Sequence, residues 1–73
     1  MQGYKNLGGN SNVQSYEIGN DYIDVVFHGT AKVYRYSYVS AGIEHVEQAK
    51  KLAVAGSGLN SYIMRHIRLL YEK

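Results

Sequence analysis

The sequence predicts a small α+β domain with a three-stranded antiparallel β-meander followed by two α-helices packed on one face of the sheet, in the order β-β-β-α-α. Two observations predict it. Between residues 13 and 38, β-branched and aromatic residues are dense, and glycine-containing turns separate them. After residue 39, apolar residues recur every three or four positions, which indicates helices. A chain of 73 residues has room for only one such domain.

The amino-terminal segment shows no apolar periodicity. Residues 1–12 are rich in Gly and Asn, so they bury too little apolar surface to offset the entropy lost on ordering. We therefore expect residues 1–11 to form a flexible arm and residues 12–73 to form the domain. Residues 13–18 favour a first strand, which ends at Gly19-Asn20-Asp21 because Gly and Asn tolerate positive φ.

Residues 22–27 and 31–38 predict a hairpin. Gly29-Thr30 is expected to form its two-residue loop, with Gly29 at the first position of a type II′ turn. This loop fixes the register. A shift by one residue would separate the aromatic residues from the aliphatic residues that they face, and it would also break an opposite-charge pair. The predicted pairs are Ile23 with Tyr36, Val25 with Tyr34, Val26 with Val33, and Asp24 with Arg35.

Two apolar stripes follow the hairpin. The first helix is expected to start after Ser40 as N-cap and to end near Ala55, with Gly56 in the left-handed conformation beyond it. Ser57 is expected to cap the second helix. The first stripe consists of Ile43, Val46, Ala49, Leu52 and Ala53, and the second of Leu59, Tyr62, Ile63, Ile67, Leu70 and Tyr71.

The sequence also indicates the cellular compartment in which the protein is expected. The chain has no cysteine, which favours a reducing, intracellular setting. No stretch approaches the roughly 18 consecutive apolar residues of a membrane span. Residues 1–4 resemble neither a signal peptide nor a myristoylation site. We therefore expect a cytoplasmic protein that does not bind membranes.

Catalytic and metal-binding patterns are absent from the sequence. His28, His45 and His66 lack His-x-x-x-His or His-Glu-x-x-His spacing, so no metal is expected. Residues 55–61 lack the third glycine of a dinucleotide fingerprint and the Gly-x-Ser-x-Gly spacing of a nucleophile elbow, so they predict a turn between helices. The chain is therefore predicted to be non-catalytic and to need no cofactor.

Several short motifs carry a family resemblance. They are Ser11-Asn12-Val13, Val25-Val26-Phe27, Gly29, Tyr34-Arg35-Tyr36 and Gly58-Leu59-Asn60-Ser61-Tyr62-Ile63. In this order and spacing they resemble the KTSC domain family over about residues 10–71. That family is named for the carboxyl end of some lysyl-tRNA synthetases, and it also occurs as free-standing small proteins in bacteria and phages.

The resemblance implies a structural motif and a suggested role. The motif residues are Asn12, Phe27, Gly29, Tyr34, Tyr36, Gly58, Asn60, Tyr62 and Ile63. Within it, Asn60 is expected to be partly buried and bonded to backbone near the hairpin, and Asn12 to stabilise the start of the first strand. The synthetase context suggests RNA binding by analogy and implies no established activity.

Positive charge and exposed aromatic residues supply the candidate binding residues. The formal net charge of +2 lies in the second half of the chain, partly on the polar side of the second helix. Tyr34 and Tyr36 are expected in the core, whereas Tyr38 suits either the core or a surface on which bases stack. The candidate residues for binding nucleic acid or a partner are Lys32, Arg35, Tyr38, Arg65, Arg68 and Lys73.

Two functions are compatible with these residues. One is a nucleic-acid-binding module, most naturally for RNA, that uses these cations and aromatic residues. The other is a small protein-binding module, such as a phage-encoded inhibitor of a host or defence protein. A homodimer, formed through a free strand edge or the side of the second helix between Met64 and Leu69, could accompany either function.

Overall fold

The computed structural model describes residues 1–9 and 11–73. They form a four-stranded antiparallel sheet, in the order β1-β2-β3-β4, followed by helices. The elements are β1 (Gln2–Gly3), β2 (Val13–Ile18), β3 (Tyr22–Phe27), β4 (Val33–Ser37), α1 (Ile43–Ala55) and α2 (Leu59–Tyr62), which continues as a π-helix (Ile63–Ile67). The α+β class is confirmed, and the count of three strands is wrong by one.

The additional strand comes from the segment predicted as an arm. Gln2 pairs with Tyr16 and Gly3 with Ser15 on β2. Next to β1, Tyr4 is buried, and its ring meets the Tyr16 ring edge to face at 6.5 Å between centroids. A two-residue strand is too short to show a period, and it forms only because β2 offers it a partner. Residue 10 of the predicted arm lies outside the described residues.

The predicted hairpin register is correct, although the predicted turn is not. Asp24 lies opposite Arg35, and the ladder runs from Tyr22 and Ser37 to Val26 and Val33. The connection spans residues 28–32 instead of two residues. The register survives because one buried face of the sheet specifies it independently of the loop.

The residue that precedes each helix is a glycine and not a serine. Gly42 precedes α1 with a φ of 97°, and Gly58 precedes α2 with a φ of 84°. The prediction of Ser40 as N-cap is therefore wrong, because its Oγ accepts a hydrogen bond from Ser37 N at 3.0 Å. Ser57 is likewise not a cap. Gly56 is in the left-handed conformation, with a φ of 77°, as predicted.

The core lies between one sheet face and the helices. Its fully buried side chains include Ile23, Val25 and Tyr36 of the hairpin. The helices contribute Val46, Ala49, Ala53, Leu59, Ile63 and Ile67. Two residues of the predicted stripes, Ile43 and Leu70, are exposed. Leu70 leaves the stripe because the helix ends at Ile67 and does not reach residue 71.

Burial of Tyr36 gives folding stability a pH dependence. Desolvation, followed by the neighbouring Tyr34 and Tyr71, raises the pKa of Tyr36 from 10.0 to about 12. The folded state therefore keeps this proton after the unfolded chain has lost it. The corresponding stability is present in full below pH 10 and is lost as pH rises through about 12. Thermal melting across this range should show a steeper fall for the native chain than for Tyr36→Phe, and equal slopes would contradict the assignment.

Candidate functional site

An open cleft of about 450 Å³ lies where the β3–β4 connection faces the second helix and the carboxyl terminus. We call it the aromatic cleft. Its lining residues are Asn12, Phe27, His28, Thr30, Tyr34, Tyr36, Asn60, Met64, Arg68, Leu69 and Tyr71. The strand, helix and tail segments that form it are distant in sequence, so only the folded chain brings them together.

Four aromatic rings form a continuous wall of the cleft. Tyr34 and Tyr71 meet edge to face, with 4.9 Å between centroids and an interplanar angle of 88°. Phe27 contacts Tyr34 at 5.4 Å, and Tyr36 lies 6.4 Å from Tyr71. Such edge-to-face contacts favour a fixed arrangement of the rings. Since Tyr36 is buried and Tyr34 and Tyr71 are half-buried, the last two offer aromatic surface to a ligand.

A backbone hydrogen bond holds Tyr71 in this wall. Glu72 N donates to Arg35 O at 2.7 Å, so the tail runs beside the outer edge of β4. The same contact covers part of the strand edge that the sequence offered for self-association.

Cations lie at the rim of the cleft. The ammonium of Lys32 lies 4.9 Å from the Tyr34 ring centroid and 5.0 Å from that of Tyr71. On the tail, the ammonium of Lys73 lies 5.9 Å from the Tyr71 ring centroid. Arg68, which follows the π-helix, lines the cleft. The described lining residues include no carboxylate. The arrangement therefore favours anionic ligands with planar, aromatic or apolar parts.

Two carboxamides also reach the cleft. Asn60 is half-buried at the start of α2, and Asn12 is exposed before β2. Their side chains make no hydrogen bond to another described residue, so the expected bond from Asn60 to backbone near the hairpin is not observed. At Asn12 the backbone carbonyl, and not the side chain, accepts a bond from His28 N at 2.8 Å.

The structure places the Arg35 side chain in an ion pair and not among the residues that line the cleft. Its Nε and Nη2 donate to the two carboxylate oxygens of Asp24 at 2.8 and 3.0 Å. The guanidinium also lies 3.9 Å from the Tyr22 ring centroid. The bond to Asp24 raises the pKa of Arg35 further above its ordinary value. The pair was expected from the register, and Asp24 is buried.

Tyr38 also lies in a local network away from the cleft. Its hydroxyl donates to Glu47 Oε2 at 2.6 Å, and Lys50 pairs with the same oxygen at 2.8 Å. The hydrogen bond to Glu47, together with desolvation, raises the pKa of Tyr38. The bonds from Lys50 and Tyr38 lower the pKa of Glu47. These contacts link the segment after β4 to α1, whereas Arg65 is exposed and does not line the cleft.

Two of the three histidines come together on the helices. His45 Nδ1 lies 2.7 Å from the Tyr62 hydroxyl, and the His45 and His66 rings stack with 5.9 Å between centroids. Sequence spacing could not show this, because the residues belong to different helices. Among residues 1–9 and 11–73, no group of three or more His, Asp or Glu residues is placed to hold a metal ion.

Fold and site together define a small α+β domain with an open aromatic cleft and a basic rim. No protein-family model, curated protein or solved structure matches the chain. The resemblance to the KTSC domain family therefore stays a prediction. In the part of the chain that the structure describes, no helix has the length and apolar composition needed to cross a membrane.

Proposed function

We propose that this protein is a non-catalytic module that binds single-stranded nucleic acid, with RNA as its natural ligand, through the aromatic cleft. One observation carries the proposal. The half-buried rings of Tyr34 and Tyr71 stand beside cations that come from a loop, the end of the second helix and the tail. Proteins that bind single strands combine these same two features, aromatic surfaces for bases and positive charge along the backbone.

The two parts of the site have separate tasks. The rings of Tyr34 and Tyr71 stack on bases, which is sequence-tolerant because every base has an aromatic face. Lys32, Arg68 and Lys73 contact the phosphates of a strand whose bases enter the cleft. The ammonium groups already lie within about 5 to 6 Å of the rings, a distance at which cation and aromatic face attract each other.

The choice of RNA over DNA rests on the family resemblance. By analogy, a domain similar to one at the end of a lysyl-tRNA synthetase is expected to contact RNA. The motif residues Asn12, Phe27, Tyr34, Tyr36 and Asn60 all line the aromatic cleft. The resemblance and the cleft therefore point to the same surface of the molecule.

Salt dependence tests the electrostatic part of the proposal. Binding of a labelled single-stranded RNA of mixed sequence should weaken as salt rises, because bound phosphates release counterions. Lys32→Ala and Arg68→Ala should each weaken binding at low salt and reduce the slope of log affinity against log salt by about 0.7. Fluorescence anisotropy at several salt concentrations measures both quantities.

Lys51→Ala is the matched control, because Lys51 is an exposed cation on α1 and does not line the cleft. It should leave affinity and slope nearly unchanged. Absence of binding at low salt, or equal losses for Lys51→Ala and Arg68→Ala, would remove the proposal.

Exposed apolar side chains beside the cleft favour a second candidate, a protein-binding module. Met64 is 44% exposed and Leu69 is 61% exposed, and both line the cleft. Apolar groups next to Tyr and Arg are typical of the residues that dominate protein interfaces. The resemblance to the KTSC domain family, which includes free-standing phage proteins, suggests an inhibitor of a host or defence protein as the form of this candidate. Partner capture that resists high salt, with no affinity for RNA, would favour this candidate.

A further inference from the structure

We infer that the aromatic cleft binds one unstacked adenine base, whose edges pair with the carboxamides of Asn60 and Asn12. This inference rests on the proposed function and deepens it, since it turns a sequence-tolerant site into one that reads a base. It depends on the size of the cleft, the groups that remain free for hydrogen bonding, and the hydrogen-bonding edges of the four bases.

The cleft has the size of a site for a single small ligand. Its volume of about 450 Å³ lies within the range of roughly 300 to 1,000 Å³ that is typical of small-molecule sites. The wall from Phe27 to Tyr71 closes one side, and Met64 and Leu69 lie on the helix side. A base between these apolar groups leaves its polar edges facing the remaining lining residues.

Asn60 and Asn12 are the lining groups best suited to meet those edges. A carboxamide presents a donor and an acceptor side by side. Within the described residues neither side chain has a hydrogen-bond partner, and both line the cleft, with Asn60 half-buried and Asn12 exposed. In contrast, Thr30 Oγ1 already accepts a hydrogen bond from Lys32 N at 3.0 Å.

Adenine matches a carboxamide on two edges. Its N6 amino group lies between two acceptors, N7 and N1, so each edge offers a donor beside an acceptor. Guanine offers such a pair at N1 and O6, but its N7 edge presents two acceptors, O6 and N7, which a single carboxamide cannot pair with. Cytosine and uracil have a complementary pair on only one edge. Two carboxamides that meet the N1 and N7 edges of one base therefore select adenine among the four bases.

Comparison of homopolymers tests the inference on the native chain. Oligo(A), oligo(C) and oligo(U) of equal length and label are titrated at one low salt concentration. Oligo(A) should bind on the order of tenfold more tightly than oligo(U), as expected for one additional bidentate contact. Asn60→Ala should reduce this ratio to about one while oligo(U) binding changes little. Circular dichroism verifies that the variant is folded.

The control is Gln48→Ala, which removes an exposed carboxamide on α1 and should keep the preference for oligo(A). Equal affinity of the native chain for all three homopolymers, or a preference for cytosine or uracil, would overturn base reading and leave the proposed function standing. Absence of binding to every homopolymer would overturn both.

Discussion

Replacing Ile63 by alanine is expected to lower the free energy of unfolding by about 2 to 5 kcal/mol. Ile63 has no exposed surface and begins the π-helical part of the second helix, where it faces the core. Its truncation removes apolar contacts and leaves a cavity between helix and sheet. A domain of this size has only about 3 to 5 kcal/mol of stability from its core, so the variant should be close to unfolding at room temperature.

Urea denaturation followed by circular dichroism measures this effect. Met64→Ala is the matched control, because Met64 is the next residue and is 44% exposed. Its free energy of unfolding should change by less than about 0.5 to 1 kcal/mol. Similar losses for the two variants would mean that the second helix does not pack on the sheet as described.

Replacing Tyr71 by alanine is expected to weaken binding of single-stranded RNA by one to two orders of magnitude. A stacked aromatic side chain contributes about 1 to 3 kcal/mol per base. Tyr71 also fixes Tyr34 through their edge-to-face contact and lies under the ammonium of Lys32. Its removal therefore disturbs the stacking surface and the placement of a cation together. Tyr71→Phe keeps the ring and should retain most of the affinity.

Fluorescence anisotropy at low salt measures the affinities. Tyr38→Ala serves as control, because Tyr38 is also half-buried but bonds to Glu47 away from the cleft. It should lower stability without a comparable loss of affinity. An equal loss of affinity in the Tyr38 and Tyr71 variants would show that stability, and not stacking, determines binding.

The hairpin could be predicted because its information is local. The alternation of side chains in β3 and β4 defines a buried face, and Asp24 opposite Arg35 distinguishes the correct register from its neighbours. The same alternation places Tyr36 in the core. The helical stripes could be predicted for a similar reason, since spacings of three and four identify a face wherever a helix is long enough to show them.

The rest of the fold depends on contacts between distant segments. β1 has two residues and no pattern of its own, so its pairing with β2 left no signal in the sequence. The residues that precede α1 and α2 are glycines with positive φ, and not the serines that were predicted as N-caps. Ser40 Oγ accepts its hydrogen bond from Ser37 N and not from α1. Helix composition alone did not indicate the change from α to π geometry after Tyr62.

The candidate site could be predicted only in part. Among the predicted binding residues, the structure brings Lys32, Arg68 and Lys73 to the cleft, and it places Arg35 in an ion pair elsewhere. Tyr71 was predicted as the end of a helical stripe. It became part of the aromatic wall because the helix ends four residues earlier and the tail bonds to Arg35 O. No periodic pattern in the sequence indicates that the chain changes direction after the helix.

We propose that the aromatic cleft is the surface that binds nucleic acid. The most direct test is to titrate the isotope-labelled protein with single-stranded RNA and to monitor the amide chemical shifts by nuclear magnetic resonance spectroscopy. We predict the largest shifts at residues 28–34, 60–69 and 71–73, with little change on α1. Shifts concentrated around Asp24, Arg35 and Tyr22 on the opposite sheet face would contradict the claim.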